Sequence, residues 1–160
     1  MKKFASTQAV GHSAEHMFAL VSDVERYPEF VPLCEGLSVL SRDTDAQGND
    51  QLTARMSVAY KMFHESFISR VTLFRDDYRV LVEYVDGPFR HLENRWRFTP
   101  TGDGGCRIDF YIEYEFASKA LQLLVGSVFE KAFAKFVDAF KQRADQVYGI
   151  QVAESASPRP

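Results

Sequence analysis

The last long segment of this 160-residue chain carries one helical pattern, from Ala117 to about Tyr148, behind a run of alternating segments. Leu121, Leu124, Val125, Val128, Phe129, Ala132, Phe133, Phe136, Val137, Phe140 and Ala144 recur at three- and four-residue steps. Lys131, Lys135, Asp138, Lys141 and Asp145 take the other side. At 1.5 Å per residue such a helix spans roughly 45 Å. An apolar stripe of that length needs an equally broad apolar surface, or a ligand, to cover it.

The surface is supplied by the segments before it. Leu52, Ala54, Met56, Val58 and Tyr60 alternate with polar neighbours, as do Tyr78, Val80, Val82 and Tyr84, then Leu92, Trp96 and Phe98. Ile108, Phe110, Ile112, Tyr114 and Phe116 alternate with Arg107, Asp109, Glu113 and Glu115, while Phe67, Val71 and Leu73 follow less cleanly. A period of two with one apolar and one charged face is that of an antiparallel sheet with one wet side. Turn residues separate the runs at Asp45–Asp50, Asp76-Asp77, Asp86-Gly87-Pro88 and Thr101–Gly105, which makes successive hairpins. Before them, residues 3–11 read as a strand and Ser13 as the N-cap of a short helix through Met17, Phe18, Leu20 and Val21. A second helical piece from Val24 is stopped by Pro28 and Pro32. The expected fold is α+β: a curved antiparallel sheet wrapped around a long C-terminal helix, with two short N-terminal helices.

One domain is expected over 1–149, with 150–160 as a disordered tail. The net charge of -3 argues against a broad nucleic-acid footprint. Cys34 and Cys106 have no paired spacing and read as free thiols of a reducing compartment. The N-terminus lacks the apolar core of a secretory signal, and no apolar run approaches the ~20 residues that span a bilayer. A cytoplasmic protein is expected, with peripheral contact at the inner membrane left open.

The segment Asp23-Val24-Glu25-Arg26-Tyr27-Pro28-Glu29-Phe30-Val31-Pro32-Leu33-Cys34 resembles the opening signature of the coenzyme Q-binding proteins, of the START-like, or polyketide cyclase/dehydrase, superfamily. Gly87-Pro88-Phe89-Arg90-His91-Leu92 leading to Trp96-Arg97-Phe98, and Ile108–Phe116 running into the last helix, are similar to the same group. The resemblance covers residues 3–148 in the same element order. It implies a helix-grip fold whose hydrophobic tunnel binds ubiquinone or a similar polyprenyl lipid, with no cofactor required, in support of respiratory electron transport. A branch of very similar sequence is described as ribosome association toxins, which bind the large ribosomal subunit, and this stays as the alternative. A cyclase or dehydrase enzyme is the third reading. No DNA partner is expected.

Under the tunnel reading, Phe30, Val31 and Leu33 form a proline-stiffened lid, where a plain helix end would pack them into the core. Leu124, Val128, Phe129 and Phe133 supply the helix wall, and Phe67, Val82, Tyr84, Phe98 and Phe110 the sheet wall. Asn94 places an amide on the apolar face beside Trp96. It bonds either to neighbouring backbone or water, or to a quinone carbonyl with Trp96 stacked on the ring. Tyr60, Tyr84 and Tyr114 offer phenols at inward positions, and Gly126 would permit close approach of a strand or ligand. Arg55, Arg70, Arg95, Arg97 and Arg107 stand on the wet face with Asp109, Glu113 and Glu115. They read as cross-strand ion pairs or as a dock for anionic headgroups or ribosomal RNA. His12 and His16 diverge across the N-cap, His64 and His91 read as solvated, and no metal site is expected. No H-E-x-x-H, G-x-S-x-G, P-loop or dinucleotide fingerprint occurs, so no catalytic residue is assigned.

Overall fold

A computed structural model describes residues 1–150. Strand β1 (Lys2–Val10) leads to helix α1 (Ala14–Ser22) and a 3-10 segment, Val24–Glu29. Six strands follow: β2 (Cys34–Thr44), β3 (Asp50–Tyr60), β4 (Phe63–Phe74), β5 (Arg79–Asp86), β6 (Phe89–Pro100) and β7 (Cys106–Phe116). Helices α2 (Lys119–Ala134) and α3 (Phe136–Tyr148) close the described chain. All seven strands make one antiparallel sheet in the order β1-β7-β6-β5-β4-β3-β2. The six later strands are a hairpin meander, and β1 is the long-range addition, pairing Lys2 with Tyr114 and Val10 with Cys106. The tail expected over 150–160 lies, beyond Ile150, outside the described residues.

The alternation read from sequence sets which face is covered. Cys106, Ile108, Phe110, Ile112, Tyr114 and Phe116 of β7 are all buried, as are Leu92, Asn94, Trp96 and Phe98 of β6. Strand β4 breaks the strict period because Thr72 is buried between Val71 and Leu73, its hydroxyl accepting from Gln51 Nε2 at 3.0 Å. The Ser13 side chain caps α1 through the His16 N–H at 3.0 Å, as its residue type requires.

The single helix expected over 117–148 is broken at Lys135. That residue sits at φ -103, ψ -3, and its N–H turns back to Ala132, tightening the last turn of α2 before α3 restarts. Neither Pro nor Gly stands there, so the pattern gave no sign of it; the apolar positions run on in phase through the break. Beyond the break Phe136 stays against Phe133 (5.3 Å between ring centroids) and Phe110 (6.1 Å), while Phe140 packs on Trp96 (5.0 Å). Helix α1 packs on α3 and on β5 and β6, while α2 lies over β7 and β1. The sheet's apolar face is thus shared between two sets of helices.

Candidate functional site: an apolar cavity under the C-terminal helices

Between the middle of the sheet and the α2–α3 junction the packing leaves a cavity of about 80 Å³. Its sheet wall comes from β2 to β7, including Leu37, Ala54, Met56, Phe67, Val82, Asn94 and Trp96. Phe129, Ala132, Phe133, Phe136 and Phe140 form the helix wall, and Tyr27, Pro32 and Leu33 close one side. Bulky rings that meet edge-to-face, such as Phe129 with Phe89 (6.1 Å) and Phe140 with Trp96 (5.0 Å), cannot tile a curved sheet completely. The void is what they leave.

Seven of the fourteen residues expected at a ligand site line this cavity: Leu33, Phe67, Val82, Asn94, Trp96, Phe129 and Phe133. The others lie elsewhere. Phe98 and Phe110 point to the same side of the sheet but are sealed in core beyond it, Phe110 against Phe4 and Phe136. Phe30 braces the wall from outside, edge-on to Tyr27 and Phe140, with the Arg143 guanidinium over its ring. Val31 is buried and its N–H bonds Tyr27 O. The Tyr84 hydroxyl accepts from the Phe89 N–H at 3.1 Å. Val128 is half-buried on the flank of α2, and Leu124 faces outward, 69% exposed.

Polar groups in the wall are few. Asn94 Oδ1 accepts from Trp96 Nε1 at 2.8 Å and its Nδ2 donates to Tyr111 O at 2.9 Å. The amide is therefore held by its neighbours, as the first of its two readings required; one acceptor lone pair and one N–H are left over. Ser69 of β4 is buried in the same wall, and no partner for its hydroxyl is found among the described residues. The Tyr27 hydroxyl donates to Val21 O, and burial pushes that phenol far above its usual range. None of the lining residues is an Asp, Glu, His, Lys, Arg or Cys.

Backbone strain marks one edge. Leu33 adopts φ 67, a conformation costing a non-glycine residue on the order of 1 kcal/mol, and its carbonyl accepts from the Ala59 N–H at 3.0 Å. That bond pins the segment to the end of β3 and turns the Leu33 side chain into the wall.

Several further lining residues are marked in the sequence only by their periodic position. Leu37, Ala54 and Met56 stand on the apolar phase of their strands, and Ala132, Phe136 and Phe140 on the helix stripe. Ser69 had no such mark, because a lone serine in a strand reads as solvated. The four histidines outside the cavity each have a neighbour. His12 is buried, with Nε2 2.7 Å from Asp145 Oδ1 on α3, while His16 stacks on Tyr148. His91, expected to be solvated, is half-buried with Nε2 2.7 Å from Glu113. His64 is exposed, 3.4 Å from Glu35. Among the described residues no group of three or more His, Cys, Asp or Glu side chains could hold a metal ion.

Tyr60, at the end of β3, is exposed rather than inward. Of the five wet-face arginines, Arg95 and Arg107 pair within their own strands, with Glu93 and Asp109, while Arg55, Arg70 and Arg97 are exposed and make no ion pair among the described residues; Arg90, also exposed, takes Glu115. Gly126 is buried, but what a Cβ there would meet is Gln122 of its own helix, not a strand. Both cysteines are buried and free, and burial pushes each thiol up to about 11.

An open antiparallel sheet gripping a broken C-terminal helix around an apolar cavity is one shared architecture, and comparison fixes which group owns it here. Residues 10–141 match the model of the family described as polyketide cyclase/dehydrase and lipid transport. The chain belongs to that family. It is 37% identical over 151 residues to the ribosome association toxin RatA of Escherichia coli (strain K12), covering 94% of this chain and 92% of that protein. It is 30% identical over 153 residues to the mitochondrial coenzyme Q-binding protein COQ10 homolog B of Xenopus laevis, covering 93% of this chain and 60% of that protein. A START superfamily protein from Mycobacterium smegmatis superposes with a TM-score of 0.74 at 22% identity, over 91% of this chain and 98% of that one, a likeness of fold. The START-like α+β architecture expected from the sequence is the one observed.

Proposed function

We propose that this family member binds ubiquinone, or a polyprenyl lipid like it, in the cavity under α2 and α3, and carries it as cargo without a resident cofactor. The observation behind this reading is the composition of the wall: aliphatic and aromatic on every side, with Ser69, the spare valences of Asn94 and the Tyr27 hydroxyl, already bonded to Val21 O, as the polar groups. Many apolar contacts with few polar anchors suit a ligand that must be released again. A polyprenyl tail exposed to water costs about 25 cal/mol per Å² of apolar surface, so moving it requires such a dry enclosure. Relatedness to a protein named for coenzyme Q binding supports the same class of ligand.

The cavity of about 80 Å³ is smaller than the roughly 150 Å³ void that accepts benzene in another protein. Its walls must therefore part to admit a quinone ring. The break at Lys135 gives α2 a place to pivot while α3 stays fixed through His12–Asp145. With no ionisable side chain in the wall apart from a tyrosine whose phenol is pushed up by burial, acid–base catalysis has no agent there, and a binding role is favoured over a cyclase. A cytoplasmic site of action, feeding respiratory electron transport, belongs to the same proposal.

A second reading, association with the large ribosomal subunit, is favoured by the 37% identity to proteins named ribosome association toxins. The wet-face arginines bear on it unevenly: Arg95 and Arg107 are neutralised by carboxylates, whereas Arg55, Arg70 and Arg97 are exposed and make no ion pair among the described residues. Organic extraction of protein purified from its native host, followed by mass spectrometry, decides between the two. Near-stoichiometric quinone supports the carrier; an empty extract from protein that also fails to take up added quinone, yet sediments with the large subunit, replaces it.

A further inference from the structure

The cavity wall holds a hydroxyl without a partner. Ser69 is 6% exposed, lines the void, and meets no donor or acceptor among the described residues. A buried hydroxyl left unpaired carries its full desolvation penalty, so this serine burdens the fold unless something in the cavity bonds it. Asn94, 9% exposed, is turned to the same void. Its amide is oriented from both sides: the indole Nε1 of Trp96 can only donate, which sets Oδ1 toward it, and Nδ2 gives one hydrogen to Tyr111 O. The second Nδ2 hydrogen is unspent. An under-used carbonyl oxygen is tolerated more readily than an orphaned N–H, so what Asn94 lacks is an acceptor.

The register sets these two groups on either side of one strand. Ser69 of β4 pairs with Tyr84 of β5, and Asn94 of β6 pairs with Val82, two residues earlier on β5. Two strand spacings across and two residues along separate their Cα atoms by about 12 Å. Val82 lies between them and also lines the cavity. A six-membered ring with an oxygen at each end, and a hydrogen bond of about 2.8 Å beyond each oxygen, has a length of that order. The remaining polar group of the wall, the Tyr27 hydroxyl, is spent on Val21 O. A phosphate or carboxylate head group would lie in this wall without a counter-charge, a cost that shuts it out. A lone alcohol would satisfy one of the two groups and strand the other.

We propose that Ser69 and Asn94 select the head group of the lipid: the Ser69 O–H and the second Asn94 N–H donate to the two opposed carbonyls of a para-quinone whose ring lies over Val82. This rests on the lipid-carrier reading and adds what the cavity accepts, a neutral ring with an acceptor at both ends, in preference to polyprenyl alcohols and phosphates with the same tail.

The test is calorimetric titration of the parent and of Ser69→Ala with three ligands that share a decyl tail: a ubiquinone with two opposed carbonyls, a cyclohexenone with one, and decyl phosphate. Removing a hydroxyl that has no partner strands nothing, so the variant should fold as the parent does. The parent should prefer the quinone to the enone at least about tenfold, and Ser69→Ala should lose about two- to tenfold on the quinone. The enone should lose little, since its one carbonyl still reaches Asn94, and the preference should narrow accordingly. Neither protein should take up the phosphate. Equal losses on quinone and enone, or no loss on either, from a parent that binds the quinone would overturn the proposal and leave the carrier reading standing. Phosphate binding as tight as quinone binding would do the same. A parent that binds none of the three brings down the carrier reading itself, and the head-group assignment with it.

Discussion

Replacing Ala132 with leucine separates a cavity that binds from one that is only a packing flaw. Ala132 is buried on α2 and faces a void of about 80 Å³. Leucine adds three carbons, which at the scale of a water's ~30 Å³ occupy about the whole of it. Burying them contributes about 0.8 kcal/mol per carbon, against about 1–3 kcal/mol for overpacking. The net change in stability should be within about 1 kcal/mol of zero. Quinone binding should weaken at least tenfold, or about 1.4 kcal/mol, since the new side chain holds the space the ring needs. Trp96, the one tryptophan of the chain, lines the cavity and reports both quantities, unfolding in guanidinium and quenching on quinone titration. A loss of stability above about 3 kcal/mol would mean the space was already filled. Unchanged binding in a stable variant would remove the cavity from the site.

Further outcomes follow from the polar and titrating groups. Ser69→Ala should leave the unfolding midpoint nearly unchanged and weaken quinone binding by about 0.5–1.5 kcal/mol, the worth of one hydrogen bond; equal binding would clear the hydroxyl of any role. Asn94→Ala strands Trp96 Nε1 and Tyr111 O, so stability should fall by about 1–3 kcal/mol with a shift in Trp96 emission, read by denaturation and fluorescence. The Asp145 carboxyl is held below its usual range first by the His12 hydrogen bond and then by Lys141, and Glu113 likewise by Tyr111 and His91. Carboxyls depressed by folding stabilise above their unfolded values near pH ~4 and lose that contribution as pH falls through the folded ones. Stability measured from neutral pH downward should therefore drop below about pH 4, and Asp145→Asn should flatten the drop. Cys34 and Cys106, raised by burial to about 11, should resist alkylation at neutral pH until the protein is unfolded; native-state labelling at the rate of a free thiol would contradict their burial.

How far the sequence could be read depended on whether a feature was local. The period of two in Ile108–Phe116 and Leu92–Phe98 told which side chains share a face, and hence that Val82, Asn94 and Trp96 look toward the helices. It did not tell which helix covers which part of that face. Phe98 and Phe110 are in the right phase, yet they lie in core beyond the cavity that Trp96 lines. On α2 the stripe was broad enough to include Leu124, but the face that α2 buries runs through Val125, Phe129, Ala132 and Phe133, and Leu124 lies outside it; the break at Lys135, unmarked by Pro or Gly, had no local signature either. The His12–Asp145 contact joins residues 133 apart and has no local signature at all. The cavity itself is a remainder of packing, set by the angles at which Phe129, Phe133, Phe136 and Phe140 meet the sheet.

The most direct test of the carrier account is an NMR measurement of intermolecular NOEs between a short-tailed quinone and the methyl groups of the protein. The account expects contacts from the ring methyls to Leu37, Ala54, Val82 and Ala132, which line the cavity from the sheet and from α2. Contacts confined to Leu123 and Leu124 on the outer surface, with none to those four, would contradict it.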